Sequence, residues 1–146
     1  QLIANDAMQL SLLISDNSLE DSTQTALKMY AKADLLSYQN KTKEAIATLE
    51  TILQDHKGEK IEDEALLKQG ELLEKIKDYE AAKFNYQKII EFYSDGILAD
   101  DAYFAIAQLY QNQFKDIEKA KDSYEKIIYN PQARKNFRHL RGDAIE

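Results

Sequence analysis

A short phrase recurs along this chain at near-constant spacing. Asn40-Lys41-Thr42-Lys43-Glu44-Ala45, Lys77-Asp78-Tyr79-Glu80-Ala81-Ala82 and Lys115-Asp116-Ile117-Glu118-Lys119-Ala120 each read as a polar turn entering a helix. Their last alanines are separated by 82 − 45 = 37 and 120 − 82 = 38 residues. Self-similarity at such a period signals an array of supersecondary units, each burying its apolar face against its neighbours.

What recurs around the turn is helical. Four residues past each alanine stands a large apolar side chain (Leu49, Tyr86, Tyr124), and seven past it an isoleucine (Ile52, Ile89, Ile127). That is the stripe of one amphipathic helix face. Upstream, a small residue recurs at Ala33, Gly70 and Ala107, with Leu36, Leu73 and Tyr110 three positions later and Met29, Leu66 and Tyr103 four positions earlier. This second stripe marks a preceding helix in each unit. One proline, four glycines and no cysteine leave few breaks and no thiol chemistry, and a chain of this length buries enough surface to need no covalent staple. The spacing predicts helices at about 4–14, 21–39, 42–55, 60–75, 79–93, 97–112, 116–129 and 132–141.

A small residue between bulky ones, a tight turn, then alanine followed by bulky residues resembles the tetratricopeptide pattern W-x2-L-G-x2-Y…A-x3-F…P. The resemblance implies an all-α solenoid of antiparallel helix pairs in one domain over 1–146, a right-handed superhelix. Its repeats would span about 24–58, 61–95 and 98–131, with an extra helix before them and a capping helix at 132–141. The chain departs from the pattern in a period longer than 34, in lacking the first tryptophan, in an extra residue around Phe114, and in having only Pro131 near a closing proline. Repeat one is the loosest. The connector Ile90-Glu91-Phe92-Tyr93-Ser94-Asp95-Gly96-Ile97-Leu98-Ala99-Asp100-Asp101-Ala102 and the stretch Ala133 to Asp143 look like the C-terminal module of larger bacterial envelope proteins. That implies a piece of a longer chain and, weakly, a periplasmic or envelope location.

Little in the sequence points to catalysis. Asp78 with Glu80 and Asp100 with Asp101 sit at helix starts, where free N–H groups and the helix dipole favour negative charge. His56 and His139 lie far apart, with no pairing that sets metal ligands on one face, and are expected on the surface. Ile97, Leu98 and Ala99 after Asp95-Gly96 supply no oxygen ligands for calcium. No glycine-rich phosphate loop occurs, and Tyr86, Tyr103, Tyr110 and Tyr124 occupy positions that the repeat reserves for packing. The expectation is a non-enzymatic chain without cofactor or metal. A net charge of −7 disfavours nucleic acid, and no apolar run is long enough to span a bilayer.

The tetratricopeptide resemblance implies a concave surface lined by the first helix of each repeat. Projected on this sequence, it offers Tyr30, Asp34 and Tyr38, then Leu67, Lys68, Glu71 and Lys75, then Asp101, Phe104, Gln108 and Gln111. The Lys and Asn set with which one subfamily clamps a C-terminal carboxylate is missing. The implied partner is a protein or peptide segment, extended or basic; the alternative is a structural spacer or oligomerisation module. Arg134, Lys135, Arg138 and Arg141 give the C-terminal helix a basic side, while Ala133, Phe137 and Leu140 give it an apolar stripe suited to capping the last repeat.

Overall fold

The structure, a computed structural model, describes residues 21–128, leaving out the side chain of Ile128. The described residues form six helices and no strand: α1 (Asp21–Tyr38), α2 (Thr42–Asp55), α3 (Glu62–Lys75), α4 (Tyr79–Phe92), α5 (Ala99–Asn112) and α6 (Ile117–Ile128). The helices expected at 4–14 and 132–141 lie outside these residues. α2 has the expected bounds. α3 and α5 each begin two residues later than expected, because Glu62 N–H closes a turn on Glu59 O (3.0 Å) and Ala99 N–H one on Gly96 O (3.2 Å).

The chain divides between Lys77 and Asp78 into two compact units. In the first, α1 packs on α2 and α2 on α3. One core joins them, made of Ala26 and Ala33 from α1, Ala45, Leu49 and Ile52 from α2, and Ala65 and Leu72 from α3, with Ile61 just before that helix. Leu49 and Ile52 are wholly buried, each contributing about 1.5–3 kcal/mol by leaving water. Ala33 and Ala45 have no exposed surface, so the recurrent alanines sit where any larger side chain meets packed atoms.

In the second unit, α4 packs on α5 and α5 on α6. Tyr86, Ile89, Ala82, Ala107 and Ala120 are buried here, as the two stripes require. Tyr103, Tyr110 and Tyr124 are only half-buried. The extra residue near Phe114 is absorbed by the turn, whose ring lies 6.1 Å from that of Tyr110.

The recurring turn has one backbone solution. Asn40, Lys77 and Lys115 take left-handed φ values of 64°, 66° and 55°, and each stands five residues before the recurrent alanine. The left-handed residue reverses the chain just past a helix C-terminus, and the next residue starts the following helix. Asp78 and Asp116 there accept N–H bonds from Ala81 (3.3 Å) and Lys119 (3.1 Å). Lys41, at the same position before α2, makes no side-chain cap.

Candidate functional site

Three helices carry the side chains expected to meet a partner. In the first unit Lys68 Nζ on α3 lies 2.9 Å from Asp34 Oδ1 on α1, both mostly buried. The pair ties α1 to α3, so Asp34 is neutralised rather than displayed. Tyr38 is 73% exposed, Tyr30 and Leu67 are half-buried, and Glu71 and Lys75 are exposed.

In the second unit Gln108 and Gln111 are exposed on α5, and Tyr124 of α6 donates its hydroxyl to Gln111 Oε1 at 2.9 Å. Burial raises the Tyr124 phenol above its ordinary pKa, consistent with its role as a neutral donor. Phe104 packs edge-on against Tyr124, with ring centres 5.9 Å apart. Asp101, expected on the partner surface, is instead 7% exposed, and Asp100 is 1% exposed. Both acids do stand in the first turn of α5, as their reading as helix-start residues has it. Asp100 Oδ1 accepts the N–H of Asp101 at 2.8 Å, so helix-start chemistry is present but buried, and Asp101 is not surface.

The histidine expectation is corrected as well. His56 is buried, 7% exposed, at the C-terminus of α2; His139 lies outside the described residues. His56 Nδ1 stands 2.9 Å from Glu59 Oε2 and 3.1 Å from Ser22 Oγ, and Ser22 Oγ donates to the same Glu59 oxygen at 2.9 Å. The hydrogen bond from His56 holds the Glu59 carboxyl below its ordinary pKa, against the opposing cost of burial. Glu59 is thus an ionised acceptor at neutral pH, and so short an Nδ1 to Oε2 separation requires the proton on Nδ1.

Ser, His and Glu in contact suggest a nucleophilic relay, but the geometry excludes one. A relay needs the hydroxyl on one ring nitrogen and the carboxylate on the other. Here both crowd Nδ1, and the serine proton goes to the carboxylate. The cluster fastens the first turn of α1 to the loop between α2 and α3. Nothing in the sequence marks these three residues, 34 and 37 positions apart from Ser22.

Two other polar contacts were also invisible in the pattern. Gln69, 4% exposed on α3, donates to Ile46 O (3.2 Å) and Glu50 Oε1 (3.1 Å) of α2. Lys83 of α4 places Nζ 4.7 Å from the Phe114 ring centre and 6.0 Å from that of Tyr110, while pairing with Glu80 at 3.3 Å. Among the described residues no group of three or more His, Cys, Asp or Glu side chains is arranged to hold a metal. None of their helices is long and apolar enough to cross a membrane.

Paired helices, a left-handed turn residue at a fixed distance from a buried alanine, and small residues at close helix contacts define a helical-repeat protein. Residues 64–96 and 101–133 match the family model of the tetratricopeptide repeat. No curated protein and no solved structure matches the chain. Helices α1 and α2 precede both matched segments, yet Asn40 and Ala45 reproduce the same turn.

Proposed function

We propose that this chain is a protein-binding module whose repeats each hold a partner on the first-helix face: α1 and α3 within one unit, and α5 within the other. Tetratricopeptide repeats are non-enzymatic scaffolds that mediate protein association, and two matched segments support that role here. The observation that carries the reading is one repeat position, exposed at Glu71 and Gln108 (108 − 71 = 37) and held on α1 by Asp34 (71 − 34 = 37), which is bound to Lys68. It is polar in all three helices, one residue beyond the buried small residues at 33, 70 and 107.

Tyr38 supplies an exposed aromatic anchor on the same α1, with Lys75 at the corresponding place on α3 (75 − 38 = 37). Apolar anchors with orienting polar groups are what peptide-binding surfaces use. Asp34 is bonded to Lys68 and Phe104 to Tyr124, so altering either disturbs the fold. Lys83 is engaged with rings and is no neutral control; exposed Lys121 is. The test is affinity for a partner isolated with the wild-type chain. Tyr38→Ala with Gln108→Ala should weaken binding at least tenfold while the far-ultraviolet circular dichroism is unchanged, and Lys121→Ala should not. Equal weakening by all three, or none by any, refutes the assignment.

A further inference from the structure

Equivalent helices of a repeat array bury equivalent faces unless they stand at an end. Position for position, Leu35, Leu72 and Leu109 correspond (72 − 35 = 37 and 109 − 72 = 37). Leu72 is 3% exposed and Leu109 2%, whereas Leu35 of α1 is 47% exposed. On this α3 face Ala65 and Leu72 join the core shared with α2, and Gln69 bonds that helix. The corresponding positions of α1 hold Lys28 and Lys32, both exposed. No described helix precedes α1, so this face of it is partly apolar, partly cationic, and open among the described residues.

We propose that residues 1–20 of the same chain cover this face. Three observations favour that occupant. Twenty residues precede Asp21, and their sequence sets Ile3, Ala7, Leu10 and Ile14 at i, i+4, i+7 and i+11, one helix stripe. Residues 15–20 between that stripe and α1 fall within the usual length of a helix-to-helix connection. Their charges complement the face: Asp6, Asp16 and Glu20 stand without a single Lys, Arg or His in the segment, opposite Lys28 and Lys32, neither of which is ion-paired with a described residue.

The chain has no cysteine, so a single introduced thiol reports position cleanly. A spin label on Gln9→Cys of the full chain should broaden the amide signals of Lys28, Ala31 and Leu35 and spare those of α6. Leu10→Asp and Leu35→Asp should each lower the unfolding midpoint by about 2–4 °C, and the double variant by little more than either alone, because both remove one contact. Absence of broadening on α1 overturns the proposal. So does broadening that arises only between molecules in a mixed labelled and unlabelled sample, since a second copy is then the occupant; additive losses in the double variant overturn it too.

Discussion

Lys41→Asp should stabilise the protein, because the position is an N-cap without a cap. Lys41 precedes α2 with φ −92° and ψ 64°; Asp78 precedes α4 with φ −93° and ψ 76° and accepts the Ala81 N–H. The backbone is already set for an aspartate whose oxygen would meet the N–H of Glu44, the residue three ahead. A good cap contributes about 0.5–2 kcal/mol, and exchanging a cation for an anion at a helix N-terminus adds about 0.3–1 kcal/mol at low salt. Set against this, the substitution takes the net charge from −7 to −9, a repulsive change that salt screens. A net gain of about 1 kcal/mol is expected, raising the urea midpoint with unchanged slope. Lys41→Asn separates the parts: it supplies the hydrogen bond without the negative charge and should keep most of the gain at high salt. No gain from either variant would refute the claim that the three turns share one geometry.

Three further outcomes are expected. Lys77→Gly and Lys115→Gly relieve left-handed backbone at φ 66° and 55°, and each should raise stability by about 0.5–1 kcal/mol in denaturant titrations, whereas a glycine at exposed Ala47, inside α2, should lower it. Ala45→Leu and Ala82→Leu place four carbons' worth of side chain where no surface is exposed; overpacking should cost about 1–3 kcal/mol each, and unchanged melting would sink the repeat register. Because the Glu59 carboxyl is held below its ordinary value of 4.5, its contribution to stability is present above that pH and fades as pH falls through the depressed value. Glu59→Gln should therefore flatten the loss of stability between about pH 5 and 3 relative to wild type, measured as urea midpoints across that range.

Much of the fold was legible because the constraint behind it is periodic. A buried Ala33, Ala45, Ala82, Ala107 or Ala120 follows from the helix stripes, and the bounds of the six described helices came within a residue or two. The left-handed residues were not legible, since lysine at 77 and 115 carries no preference for positive φ; only the shared turn imposes it. Polar contacts between non-equivalent positions were equally hidden. His56 reads as a lone surface histidine until the chain brings Ser22 and Glu59 to its Nδ1. Asp101 reads as a residue of the partner face until α5 is packed and buries it. On the candidate face, Tyr38, Glu71, Lys75 and Gln108 lie exposed, while Asp34, Lys68, Phe104 and Gln111 make contacts that no spacing reveals.

The partner-binding reading is tested most directly by photo-crosslinking in cells that make the native protein, with a photoreactive residue placed singly at Tyr38, Glu71 or Gln108, and at Ala47 or Lys121 on the second helices of the repeats. All five positions are exposed. One and the same adduct polypeptide is expected from the first-helix positions and none from the second-helix positions. Adducts of equal yield from both sets, or a discrete adduct from Ala47 and Lys121 alone, would contradict it.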